Sequence, residues 1–228
     1  MSIGRTPVAL DTQPRNVSHE PSRPSPAPGA AAVRAWAAAR DAVLRGLVHA
    51  LSNRVGTVAA VGGMLEGAGA ESVGVAGRLL EGEGERLVAL LAQFRLATAD
   101  PFGADAAPEP VHVPELLGEV ATLAAAAGWD VGAAGETGGD TPPAVVGRAA
   151  LAHALLVLVH AARGDAAEPV LAAARDGAGV RVWVASGTSR EPVPVPPDAL
   201  DACAWLLGAG AVDVDGATAV VRLAALGG

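Results

Sequence analysis

Leu47-Val48-His49-Ala50-Leu51-Ser52-Asn53-Arg54-Val55 sets one histidine into a stretch that otherwise reads as a helical seam. Around it, apolar residues recur at Leu44, Val48, Leu51, Val55, Val58, Gly62 and Leu65. These alternating steps of four and three make a heptad stripe, the pattern of a helix packed lengthwise against others. His49 falls one position after the stripe, so its ring is expected to face water beside the seam. Asn53 lies four residues on, on the same exposed face.

The helix that carries this stretch reads from about Ala30 to Glu66, and Gly67-Ala68-Gly69-Ala70 turns the chain. A second helix is expected from about Glu71 to Thr98. Its apolar stripe is Ala76, Leu80, Leu87, Leu90, Phe94 and Ala97, with Arg78, Glu81, Glu85 and Arg86 off it. Asp100-Pro101-Phe102-Gly103 ends that helix, and Pro108-Glu109-Pro110 continues a linker. A lone hairpin leaves much of its apolar surface wet. Pairing of two hairpins into a four-helix bundle, hence a homodimer, is the expected solution.

Beyond the linker the texture becomes mixed. Val113 opens a helix reaching about Ala127, and Trp129-Asp130-Val131 reads as a short strand before the Gly-rich loop Gly135-Glu136-Thr137-Gly138-Gly139. Arg148 to Ala162 is an apolar helix. Val170 to Arg175 and Val180 to Ala185 read as strands joined by Asp176-Gly177-Ala178-Gly179. Pro197 to Leu207 is a further helix, and Ala211 to Leu226 a last hairpin turning at Asp215-Gly216. The fold class is α+β: a dimerising helical hairpin, then a two-layer α/β sandwich of three helices on a mostly antiparallel sheet. Its divisions are a disordered, Pro-, Ser- and Arg-rich tail (1–29), the hairpin (30–100), the linker (101–110) and the α/β domain (111–228).

Composition narrows the function. Of the 228 residues 51% are hydrophobic but only 3% aromatic, so the core is built from Ala, Val and Leu. Trp36, Trp129, Trp183, Trp205, Phe94 and Phe102 are its few large fillers. All sixteen basic side chains are arginine, and the net charge is −8. No basic stripe of the kind that grips a phosphate backbone is present, so nucleic acid is not an expected partner. The single cysteine, Cys203, is expected to be a buried hydrophobe. No apolar run is long enough to span a bilayer and no secretory pattern opens the chain, so a cytoplasmic protein without membrane contact is expected. His153 and His160 lack the i, i+4 spacing of a metal pair and read as core or edge histidines; no metal or cofactor site is expected in this chain.

A hairpin with an exposed histidine followed by an α/β sandwich resembles the histidine-kinase core of two-component signalling. His49-Ala50-Leu51-Ser52-Asn53 matches the family's histidine box at the histidine, the apolar residue and the asparagine, and departs at Ala50, where kinases carry an acid. Val111 to Ala127 looks like the entry helix of the family's ATP-binding domain. Leu151 to Ala161 aligns with the helix that carries two asparagines, one of them a Mg²⁺ ligand; Leu156 and His160 stand there instead. Ala185-Ser186-Gly187 replaces the Asp-x-Gly that reads adenine. The Gly-rich lid shrinks to the Pro-rich segment from Glu191 to Asp198. A kept histidine beside a dismantled ATP site resembles the bacterial histidine phosphotransferases of the ChpT type and the sporulation phosphorelay phosphotransferase.

That resemblance implies a phosphorelay function without ATP. A neutral imidazole would take a phosphoryl group from one receiver domain's aspartyl phosphate and a second receiver's aspartate would take it back, with the receiver supplying Mg²⁺. His49 is then the phosphoacceptor and Asn53 its support. Arg45, Ser52, Arg54 and Gly56 are the expected partner-binding positions, the two arginines steering an acidic receiver pocket and Gly56 keeping the surface low. The partners implied are response-regulator receiver domains, with a hybrid histidine kinase as a further candidate. Two rivals are a dimeric scaffold that binds receivers without transferring phosphate, and an ATP-dependent histidine kinase, which the missing nucleotide residues disfavour.

Overall fold

The computed structural model describes residues 28–65, 69–135, 141–163, 168–187, 191–208, 211–215 and 218–226. The expected tail, the tip of the hairpin turn, most of the Gly-rich loop and the Asp215-Gly216 turn fall largely outside these residues. Two long helices, α1 (Ala30–Met64) and α2 (Ala70–Thr98), form the hairpin. Both lack internal proline; alanine in α1 and leucine in α2 favour the helix, against the four glycines that each carries. At ~1.5 Å rise per residue the 35 residues of α1 extend roughly 50 Å.

A single 3₁₀ turn (Ala104–Ala106) leads to β1 (Glu109–Val111), α3 (Val113–Ala126), β2 (Gly132–Gly135), β3 (Ala144–Val146) and α4 (Arg148–Ala162). There follow β4 (Pro169–Asp176), β5 (Gly179–Ser186), α5 (Pro197–Leu207), β6 (Val212–Asp215) and β7 (Thr218–Ala224). The main sheet has the order β2-β4-β5-β7-β6, parallel only at β2–β4. The β4–β5 hairpin turns on Gly177, whose φ of 57° is the left-handed region that a two-residue loop requires.

Side chains alternate between the two faces of the sheet, as strand geometry requires. Leu171 and Ala173 of β4, with Val180, Val182 and Val184 of β5, join the main core beneath the helices; Ala172, Ala174, Trp183 and Ala185 cluster on the other face. The main core runs without a break from the sheet through α3, α4 and α5 into α1, where Ala32, Ala39, Val43 and Leu47 are buried. The lower half of the hairpin is therefore part of the same packed body as the sandwich.

Several expectations change. The stripe read on α2 does face α1: Ala76, Leu90 and Ala97 are buried, and Leu80, Leu87 and Phe94 half-buried. The stripe read on α1 is divided: Leu44 and Leu51 are half-buried against the main core, while Val48 and Val55 are each 54% exposed in the single chain. A different face, Ala32-Ala39-Val43-Leu47, meets the α/β domain. The strand expected at Trp129-Val131 begins instead at Gly132, and Trp129 is a buried side chain in the preceding turn. The linker ends in β1, which pairs with β3 in the register Glu109↔Val146. Phe102 is not a core filler: it is 48% exposed, resting against Trp205 with ring centroids 4.4 Å apart. Cys203 is buried as expected, its thiol donating towards the Ala154 carbonyl at 3.4 Å, and burial pushes its pKa up.

Candidate functional site

His49 stands in the middle of α1 with its ring exposed. Asn53, one turn on, places its amide Nδ2 3.3 Å from His49 Nε2. An amide N–H can only donate, so this pairing leaves the lone pair on Nε2 and assigns the ring proton to Nδ1. On the same stretch Ser52 Oγ donates to the Val48 carbonyl and Thr57 Oγ1 to that of Asn53, each bonding back onto the preceding turn. Gly56 is exposed, with open space where a side chain would stand.

The two arginines differ. Arg45 is exposed and only loosely paired with Asp41, at 4.0 Å. Arg54 is turned into the hairpin, where its guanidinium meets Glu83 of α2 at 3.3 Å. Glu83 also receives Arg86, one turn along α2, and is 4% exposed. Arg54 thus sits with its guanidinium in an ion triad that ties α1 to α2, while Arg45 stays free to meet a partner. Glu83 is not legible in the sequence, because a glutamate between glycines in Glu81-Gly82-Glu83-Gly84-Glu85 looks like a solvated run.

The positions that the sequence resemblance sets against a nucleotide site, Leu156, His160 and Ala185, lie away from His49. Leu156 and Ala185 are buried in the core. The Pro-rich segment bridges back onto the sheet at Ala185↔Pro192 and Pro194↔Thr218, with Val193 N–H donating to the Val184 carbonyl at 2.9 Å. His160 is half-buried against Trp129, ring centroids 5.1 Å apart, and its Nδ1 is buried without a partner among the described residues. Burial, then the charge of Arg163, lowers its pKa. His160 lines a cleft of about 360 Å³ with Arg34, Ala38 and Asp198.

His153 is the buried histidine that its apolar helix suggested, at 1% exposure. Its Nδ1 accepts the indole N–H of Trp36 at 2.9 Å, and its Nε2–H donates to the Leu96 carbonyl at 3.3 Å. One side chain of α4 thereby holds both hairpin helices. A groove of about 700 Å³ lies between α2 and the starts of α3's second half and α4, lined by Arg95 and the Glu119–Arg148 ion pair. Neither this groove nor the His160 cleft includes His49. Among the described residues no group of three or more His, Cys, Asp or Glu side chains could hold a metal ion, and no helix is long and apolar enough to cross a membrane.

No protein-family model matches the chain, and no curated protein matches it. Solved structures that it resembles include full-length ShkA in complex with AMPPNP, at 21% identity and TM-score 0.35, covering 81% of this chain and 46% of that one. A bacterial phosphotransferase aligns at 13% identity and TM-score 0.35, over 81% of this chain and 94% of that one. A histidine kinase from Burkholderia phymatum STM815 aligns at 18% identity and TM-score 0.34, over 88% and 100%. The chain spans less than half the length of ShkA. At these scores the roles of residues rest on this chain's own geometry.

Proposed function

We propose that the protein is a histidine phosphotransferase of a two-component phosphorelay, moving phosphoryl groups between receiver-domain aspartates through His49 without ATP. The observation that carries this reading is the placement of His49: exposed at mid-helix, outside the larger clefts, with an asparagine one turn away orienting its ring. An exposed nucleophile outside those clefts suits a protein-borne phosphoryl group better than a small substrate, which needs a concave site.

In the forward step the Nε2 lone pair attacks phosphorus. An N–P bond forms, the P–O bond of the aspartyl phosphate breaks, and the donor carboxylate leaves with the electron pair. The ring is then a phosphoimidazolium that carries its proton on Nδ1. In the second step the recipient carboxylate attacks and the ring leaves as neutral imidazole. Mg²⁺ held by the receiver would offset the charge on the transferring group. Asn53 donates to Nε2 and so keeps the ring proton on Nδ1, releasing the lone pair as Nε2 attacks, and Arg45, exposed and loosely paired with Asp41, offers a cation one turn away. The buried apolar side chains at Leu156 and Ala185 support the absence of ATP from this cycle.

The outward apolar residues of both helices, Val48 and Val55 on α1 with Val73, Val88 and Leu91 on α2, support pairing of two hairpins in a four-helix bundle. The test offers the protein radiolabelled ATP, then a radiolabelled phosphorylated receiver, with His49→Ala as the control. Label from the receiver that is lost in His49→Ala is expected. Label from ATP alone would instead show a kinase, and label from neither source a non-transferring scaffold.

A further inference from the structure

Gly46 is the glycine of α1 that packing demands. A Cβ built there would lie 1.9 Å from the carbonyl oxygen of Ala126, 2.4 Å from its carbon and 2.8 Å from Ala127 Cα, all backbone atoms at the end of α3. At Gly56, Gly62 and Gly63 of the same helix a Cβ would meet nothing within 4 Å. The last turn of α3 is thus seated directly on the backbone of α1. Ala42, Gly46, His49 and Asn53, at steps of four, three and four, share one side of α1. Ala42 packs on the core of the α/β domain, Gly46 receives the end of α3, and His49 is the next residue on that side. Only about 4.5 Å of helix rise separates Gly46 from His49.

We propose that the C-terminal turn of α3 is a second wall of the partner-docking surface at His49, and that Gly46 is the positioning residue that seats it there. The proposal rests on His49 receiving its phosphoryl group from a folded receiver domain. Such a partner covers about 600–800 Å² on each side even in a modest interface, a patch roughly 14–16 Å in radius. A turn seated about 4.5 Å along the axis, one helix diameter to the side, lies inside that footprint. The partner therefore reads the hairpin and the α/β domain together, and an acidic receiver face is sensitive to charge placed on this turn.

Ala125 is exposed on the turn and allows that charge to be varied without touching the seat. Transfer from a phosphorylated receiver is followed against receiver concentration for wild type, Ala125→Glu, Ala125→Arg and Gly46→Ala. The expected result is a severalfold rise in half-saturating concentration for Ala125→Glu and a fall for Ala125→Arg. Maximal rates should stay within twofold, and both shifts should shrink in 0.5 M salt. Gly46→Ala should lose tenfold or more in efficiency while keeping its helix content by circular dichroism and its oligomeric state. A folded Ala125 pair with wild-type concentration dependence overturns the proposal, even if Gly46→Ala fails to fold. If the wild-type protein takes no phosphoryl group from a receiver, the function proposed for His49 falls first.

Discussion

Trp36 and His153 stand 117 residues apart, yet the indole N–H of one donates to Nδ1 of the other at 2.9 Å. Phe102 and Trp205 pack edge-on against the same indole, and Arg40 lies over its ring at 5.7 Å. The bond requires a neutral histidine, because a proton on Nδ1 would set two donors against each other. Burial is the main cause that lowers the His153 pKa; Arg40 lowers it too, against the Leu96 carbonyl and Asp100, which raise it.

The sign follows from linkage. The unfolded chain binds a proton at His153 more readily than the folded one, so this stabilisation is complete above the ordinary histidine pKa of about 6.5. It declines as pH falls below that value towards the lower folded pKa. Urea unfolding between pH 8 and pH 5 should show a loss of stability that His153→Phe reduces. At pH 8, His153→Phe should cost about 1–3 kcal/mol, since it leaves the Trp36 donor and the Leu96 acceptor unpaired.

Glu83→Gln should destabilise the protein by about 1–2 kcal/mol, measured by urea unfolding. Its carboxylate is buried between Arg54 and Arg86, but the arginines are partly exposed, which screens the pair and keeps the cost below that of a fully buried one. Arg54→Ala should weaken the fold by a comparable amount. If Arg54→Ala instead slows phosphotransfer at unchanged stability, its role lies with the partner and not with the hairpin.

His49→Ala and Asn53→Ala should both unfold within about 0.5 kcal/mol of wild type, because exposed residues away from the core carry little stability. Their effects on phosphotransfer should differ sharply: complete loss for His49→Ala, and roughly a three- to tenfold slowing for Asn53→Ala, the worth of one hydrogen bond. A pH profile of transfer that is unchanged in Asn53→Ala would show that the amide does not act on the ring.

Val55→Asp and Val88→Arg place charge on residues that are 54% and 68% exposed in the single chain. Sedimentation velocity should show a dimeric wild type and a shift of each variant towards monomer, with secondary structure retained. A wild-type protein that sediments as a monomer at 100 µM (about a hundredfold above a micromolar Kd) would refute pairing through this face.

The helices were legible because their signals are local. Alanine and leucine content, proline at the boundaries and the i, i+4 spacing of His49 and Asn53 depend only on near neighbours. The β4–β5 hairpin was legible for the same reason, with Gly177 at its turn. The short β1 was not: with Pro110 in a three-residue strand it reads as linker, and it exists because β3 lies beside it. Glu83 and Gly46 carry no local mark of their roles either, one resembling a surface charge and the other a helix imperfection.

His49 and its asparagine, the hairpin and the alternation of the sheet were determined by the sequence itself, since each is a short-range pattern of residue types. Which of two apolar faces of α1 meets the α/β domain was decided only in three dimensions. So were the turning of Arg54 inward to Glu83, the joining of Trp36 to His153 and the seating of α3 on Gly46. The physical reason is common to all four: a contact between distant segments depends on where each helix is carried by the others, and periodicity along one helix holds no record of that.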